Sequence, residues 1–516
     1  MKERESMPSS PSTGMKRPGK ILNRIGWVVA ILLVIYIILL IPSRERVNVP
    51  PVGGIAQKQP FEWNQDEYWN ALEATYRTLK QGGCTKAVPA LPMKFQRVKR
   101  ILYEIDKTPA GPEDPVFRDL EKLVFEMGPV VSACDKQVMD YIRMIADMRT
   151  VIKKRSEDWD MNSLTARNTL YRLLYGSRAA AEEVILQTPA GTVPDFVPGK
   201  DEPSQTPWAD VRGVHIHSGD ILVSRGGAPT SALISRGSDY PGNFSHIAFV
   251  FVNPDTRTAN IVEAHIERGV VVSTVEQYLE DKKLRVMLLR LRADLPQLKK
   301  EPIIPHKAAL LAYNNATKKH IPYDFEMNYH EHSKLFCSEV ASAAYEPFGV
   351  KLWMGISHIS SPGLQRWLSD FGVRYFETQE PSDLEYDPQL TVVAEWRDLE
   401  TLKKDHYDNA VTDVMLEGAE KGEKLEYQWY LLPVVRLAKA YSAVLNLMGK
   451  VGPVPEGMSS TAALRNVWFS KRHDDIAARL SKKAALFQSE RGYAPPYWEL
   501  VKMARSAKHE VEDRNE

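Results

Sequence analysis

Three side chains in the middle of this 516-residue chain could together do thiol chemistry: His246, Glu263 and Cys337. A cysteine sulfur attacks a carbonyl as the thiolate, and an imidazole is well suited to take its proton near neutral pH. A carboxylate on the far ring nitrogen then fixes the tautomer and the orientation of that imidazole. His246 stands near the start of an apolar run, FSHIAFVFV at 244–252, which reads as a strand. Glu263 stands in a second apolar run, IVEA at 261–264. Cys337 stands in LFCSEV at 335–340, and the small residues that follow read as a helix with the thiol at its start. A helix N-terminus offers free N–H groups and the positive end of the backbone dipole. Both favour a thiolate, and the same groups can hold an oxyanion. The order histidine, carboxylate, cysteine points to a thiol hydrolase.

These residues need strands and a helix to place them. Strand alternation puts His246 on one face with Ala248, Val250 and Val252. Between the two runs, Asn-Pro-Asp-Thr at 253–256 suits a type I turn. Centred on Pro254 and Asp255, that turn sets His246 opposite Glu263; a loop two residues longer sets it opposite His265. Both candidates share the face of His246, so parity supports a base with an orienter and leaves the orienter open. Taken singly, each residue has a blander reading: a core histidine, a solvent-facing glutamate, a packed cysteine. Their joint placement favours the chemistry.

The surrounding chain sets the expected context. Lys plus Arg is 67 against 66 Asp plus Glu, so nucleic-acid binding has no electrostatic support. Residues 1–20 are polar and read as a disordered cytoplasmic tail. Residues 25–41 are continuously apolar, which predicts a transmembrane anchor over 21–42. Lys16, Arg17, Lys20 and Arg24 precede it, so the positive-inside rule puts the N-terminus in the cytoplasm. The body is then expected outside, at a bacterial inner membrane and periplasm. A cleaved signal peptide competes, but no small-x-small site follows the run. Of the three cysteines, Cys84 and Cys134 share a helical region and are the candidate disulfide, with two packed free thiols as the alternative. Cys337 is left over.

Residues 43–61 read as a tether, 62–187 as a helical bundle, 188–208 as a Pro- and Gly-rich linker, and 209–375 as a β-rich unit. In the bundle, apolar spacing predicts helices near 69–79, 98–105, 117–127, 130–154 and 164–186. A helical C-terminal region is expected over 376–516, clearest at 428–449 and 462–488. His215 with His217, and His330 with His332, have ligand-like spacing, but neither pair brings a third ligand. No metal or cofactor is expected.

Gly219-Asp-Ile, the strand Ser245-His-Ile-Ala, Val262-Glu-Ala, Gly269-Val-Val and Tyr323-Asp-Phe followed by Phe336-Cys-Ser-Glu form a set. Together they resemble the circularly permuted papain-like cysteine hydrolases. These form the YiiX/YebB-like branch of the NlpC-type superfamily, related to lecithin:retinol acyltransferase. The resemblance covers about 214–368, and Ala248 stands where a glycine is expected. It implies Cys337 as nucleophile, His246 as general base and acid, and Glu263 as orienter, with Tyr323 and His265 supporting. The implied fold class is α+β. An antiparallel sheet with packed helices forms a permuted papain-like domain, flanked by N- and C-terminal helical regions and one N-terminal transmembrane helix. The implied function is a membrane-anchored, extracytoplasmic hydrolase of amide or ester bonds, working through a thioester on a cell-envelope substrate such as peptidoglycan peptides. The alternatives are a lipid amidase or acyltransferase, with a lipid-linked substrate, and a catalytically silent envelope-binding module.

Overall fold

The computed structural model describes residues 19–42, 60–63 and 66–513; residues 1–18 of the expected tail and 43–59 of the expected tether lie outside them. Helix α1 is Gly19–Leu40. The bundle follows as α2 (Asp66–Gly82), α3 (Leu91–Lys107), α4 (Pro115–Cys134), α5 (Val138–Ser156) and α6 (Leu164–Gln187). Helices α3, α4 and α5 bury the stripe their periodicity announces, Val98, Ile101, Leu102 and Ile105 on α3, whereas on α2 only Tyr76 is buried. Asp114 caps α4 by accepting from the Val116 N–H, with Pro115 at the first helical position.

One boundary differs from expectation. Instead of starting a helix near residue 130, the chain carries α4 through Pro129 to Cys134. The buried stripe Val124, Met127 and Val131 runs across the proline, and that packing outweighs one missing backbone hydrogen bond. The break falls later, where Asp135 and Gln137 take φ of 49° and 60°. Beside it, Cys134 is bonded to Cys84, with their Cα atoms 5.8 Å apart.

The middle of the chain alternates strands and short helices. Its first elements are β1 (Phe196–Pro198), β2 (Trp208–Val211), β3 (Val214–His217), β4 (Ile221–Gly226), α7 (Pro229–Arg236), β5 (His246–Val252), β6 (Ala259–His265) and β7 (Gly269–Thr274). Then come α8 (Val275–Glu280), β8 (Lys283–Leu291), α9 (Pro296–Lys300), α10 (Ile304–Lys318), α11 (Glu339–Tyr345), β9 (Ser357–His358), α12 (Pro362–Phe371), β10 (Glu377–Thr378) and β11 (Leu390–Trp396). The last helices are α13 (Leu399–Glu420), α14 (Leu432–Leu447), α15 (Ser460–Arg491) and α16 (Tyr497–Glu512).

Seven strands form an antiparallel sheet in the order β1-β11-β8-β4-β5-β6-β7. Two of them come from outside 209–375: β1 from the stretch read as linker, β11 from the stretch read as helical. Ile221, Val223, Ile247, Phe249 and Met287 face α10 and α11, while Leu222, Ala248, Val250 and Leu288 pack on the other side with Tyr278 of α8. Gly219, at φ +97°, starts β4 so close to α10 that a Cβ there would overlap Pro305. Asp220 then ties β4 to β8, taking two hydrogen bonds of 2.8 Å from Arg290.

The expected membrane anchor is corrected. Helix α1 forms, but among the described residues no helix is long and apolar enough to cross a membrane. The uninterrupted apolar stretch of α1, Ile25–Leu40, is about 24 Å long, short of the ~30 Å hydrocarbon core. The helix lies instead against α14. Tyr36 OH donates to the Tyr430 carbonyl at 3.4 Å, and the Arg436 guanidinium reaches the carbonyls of Ile38 and Ile41. The single-pass placement, and the compartment deduced from it, fall with the span.

Candidate active site

Strand β5 begins at His246, and β6 ends at His265. Their register pairs Ala248 with Glu263, which carried two residues further sets His246 across from His265. The longer-loop alternative therefore describes the pairing, yet the hydrogen bond goes to the diagonal neighbour. His246 Nε2 lies 2.8 Å from Glu263 Oε2. Diagonal residues on one sheet face are within reach of side chains as long as these. His265 Nε2 approaches the other oxygen, Oε1, at 3.1 Å, and Ser273 Oγ of β7 donates to that oxygen at 3.2 Å. One buried carboxylate thus sits between two imidazoles and a hydroxyl.

The three groups hold different charges. Burial would raise Glu263, but hydrogen bonds and charge from His246 and His265 hold it well below the usual carboxylate range. Burial lowers the pKa of His246, and the hydrogen bond and charge of Glu263 offset this only in part. Burial also works against a charged His265. There the hydrogen bond and charge of Glu263, with the charge of Glu267, prevail and raise its pKa. His246 therefore rests neutral near pH 7, with Nε2–H donated to Glu263 and Nδ1 free of hydrogen bonds among the described residues.

Cys337 stands two residues before α11, with Ser338 at the cap. It is buried, and its surroundings differ from the expectation of a stabilised thiolate. Burial pushes the thiol up to about 11; the N–H of Ile247 and the Ser338 hydroxyl pull it down, and the charge of Glu380 adds to the rise. A helix of seven residues does not reverse the desolvation. The thiol meets β5 at Ile247, the residue after His246, so thiol and imidazole occupy the same end of the sheet. No hydrogen bond joins Sγ to the ring among the described residues. Tyr323 is near enough that the Cys337 charge, after burial, raises its phenol well above the ordinary value. Its ring packs edge-on against Phe325 at 4.9 Å.

Two contributors escaped sequence reasoning. Ser273 carries a period-two signal, since it shares a strand face with Val271, which pairs with Glu263. Glu380 carries none: it reads as a solvated loop acid yet is buried beside Cys337, its carboxyl raised well above normal by burial and then by Asp383. The histidine pairs with ligand-like spacing lie elsewhere. His215 stacks on Trp208 at 4.1 Å, and His217 Nδ1 is 3.1 Å from the Thr206 carbonyl. His330 packs on Tyr329, and His332 reaches Glu339 and Glu346.

An antiparallel sheet in which the first residue of β5 is a histidine bonded to a carboxylate, with a cysteine just before α11 against the same strand, is the arrangement that the permuted papain-like resemblance implies. Residues 215–394 match the Peptidase_C92 family model, described as permuted papain-like amidase enzyme, YaeF/YiiX, C92 family. The match ends inside β11 and leaves both helical regions outside it. No curated protein and no solved structure matches the chain.

Proposed function

We propose that this chain is a cysteine amidase in which Cys337 is the nucleophile, His246 the base and acid, and Glu263 the positioning residue. The observation that carries the reading is the 2.8 Å His246–Glu263 bond beside a lone thiol, inside a segment that matches the amidase family model. With Nε2 donated to Glu263, Nδ1 is the nitrogen left to take the thiol proton. Thiol and imidazole both rest neutral, so proton transfer accompanies attack instead of preceding it. This transfer requires the Cys337 thiol and His246 Nδ1 to come into hydrogen-bond contact in the substrate complex, a contact absent among the described residues.

Sulfur adds to the amide carbonyl, and the negative charge on its oxygen is met by the Cys337 N–H, which donates to no described residue. The C–N bond breaks as the imidazolium returns its proton to the leaving amine. Water, deprotonated by His246, then adds to the thioester, and the C–S bond breaks to release the acid and restore the thiol. Ester cleavage follows the same steps with an alcohol leaving. Peptide amides are the proposed substrate, and lipid amides are the competing arm of the test.

Full-length protein is incubated with muropeptides and, separately, with long-chain N-acyl amides, while hydroxylamine competes with water for the thioester. Cleavage of either set, hydroxamate formation and loss of both in Cys337→Ala support the proposal; cleavage of lipid amides alone reassigns the substrate. Neither set cleaved, with wild type and Cys337→Ala alike throughout, overturns it.

A further inference from the structure

A cavity of about 350 Å³ lies where α2, α4 and α6 of the bundle meet α7, α13 and the start of α16. None of Cys337, His246 or Glu263 lines it. Its walls are aromatic. Trp69 is stacked between Trp63, at 5.7 Å, and Trp498, at 5.9 Å; Tyr171 and Tyr175 stack at 4.7 Å.

The polar groups in this lining are unevenly supplied. Four carboxylates face it: Glu73, Glu182, Glu183 and Asp413. Asp413 is paired with Arg236, and Glu182 with Arg178 and Arg285, so two are spoken for. Glu73 accepts only from neutral donors, Tyr493 OH at 2.6 Å and Trp498 Nε1–H at 2.9 Å. Glu183 accepts from the Tyr497 N–H at 2.8 Å. Neither has a cation partner among the described residues. Arg172 stands over Trp63, and Arg178 and Arg236 over Tyr175, but these guanidiniums are engaged with other acids.

A second observation is independent of the acids. Asn243 is 4 % exposed and Asn409 1 %, and the side-chain carbonyl of each has no hydrogen-bond partner. Both residues line the cavity, as does His406, whose Nδ1 is also unpartnered. Buried acceptors left unpaired cost about 1–3 kcal/mol each, so a site that keeps them lacks a donor. Trp63 Nε1 is the one unpartnered donor among these lining side chains.

We propose that this cavity binds a small organic ammonium ion, its apolar body against the indole and phenol rings and its N–H groups on Glu73, Glu183 and the two asparagine carbonyls. Aromatic faces attract cations, an apolar lining excludes water, and the free carboxylates supply the countercharge. The site needs nothing from the thiol chemistry and stands or falls apart from it.

The test titrates the full chain with phenethylammonium, following tryptophan fluorescence and heat, beside its neutral isostere 2-phenylethanol and the anion 3-phenylpropanoate. Phenethylammonium is expected to saturate and to bind at least about tenfold more tightly than the alcohol, with the anion weakest. Glu183→Gln, whose amide oxygen can keep the Tyr497 bond, should cut that preference, and adding Glu73→Gln should abolish it. Circular dichroism checks that both variants are folded, and the single variant decides alone if the double one is not. Equal binding of the ammonium and the alcohol, no saturable binding, or an unchanged preference in folded Glu183→Gln overturns the proposal.

Discussion

Two buried clusters of charge in this molecule invite comparison. One joins the three parts of the chain: Glu182 of α6 meets Arg178 at 3.2 Å, Arg285 of β8 at 2.5 Å and His406 of α13 at 3.1 Å. Asp405 of α13 meets Arg285 at 2.5 Å and Arg225 of β4 at 3.2 Å, and Glu385 takes Arg178 at 2.8 Å. Three guanidiniums thus face three carboxylates. Burial would raise Glu182, but Arg285 and Arg178 hold it well below its ordinary value. The other cluster is the candidate site, where one carboxylate serves two imidazoles and a nearby thiol stays protonated. In the first, each carboxylate is paired with at least one guanidinium. The second leaves one proton between groups that are both neutral at rest. Burial fixes charge where partners balance, and leaves chemistry available where they do not.

That contrast can be broken by exchanging the readouts. Cys337→Ala should reduce turnover by about 10⁴-fold or more, equivalent to roughly 5 kcal/mol or more at the transition state. Its urea midpoint should move little, because the thiol makes no matched ion pair. A Cys337→Ala protein that still turns over would end the assignment of the site.

Asp405→Ala should do the reverse. Removing one partner of a fully buried pair costs about 3–5 kcal/mol, because Arg225 and Arg285 stay buried without it. Urea unfolding measures this loss, while turnover by the folded protein should hold within about threefold. A variant as stable as wild type would mean that the network is not the joint between bundle, sheet and C-terminal helices. A smaller loss, about 2–4 kcal/mol, is expected for Cys84→Ser with Cys134→Ser, which frees the chain between α2 and α4. It too should leave hydrolysis intact, as it touches neither cluster.

How much of this was legible in the sequence depends on the range of the signal. Strand parity is local, so the shared face of His246, Glu263 and His265 could be read from spacing alone. Choosing between the two partners could not: it depends on the register of β5 against β6 and on a diagonal reach that spacing does not encode. Helix α13 was lost in a region read only broadly as helical. Its apolar stripe is interrupted by Asp405, His406, Asp408 and Asn409, all buried against other parts of the chain. Strands β1 and β11 are recruited from flanking stretches to complete the sheet, a decision made by partners about 200 residues apart. The N-terminal apolar run read as a membrane span because composition does not reveal that α14 lies beside it.

The smallest effect tests the site most finely. His246 is lowered from 6.5 and His265 raised from it, so the imidazoles flanking one carboxylate should titrate on opposite sides of that value by NMR. The acid limb of kcat/KM should follow His246 and lie below pH 6.5, since protonating that ring removes the base. Glu263→Gln deletes the main influence raising both. His265 should then fall, held up only by Glu267, and His246 should fall further, carrying the acid limb to lower pH. The linked stability has a definite sign. His265, raised in the fold, contributes stability that is complete below pH 6.5 and lost as pH rises through its folded pKa. Glu263, depressed in the fold, contributes stability present above pH 4.5 and lost as pH falls toward its folded pKa. Glu263→Gln should remove both contributions, and a variant whose two histidines titrate as in wild type would show that Glu263 does not set their charge.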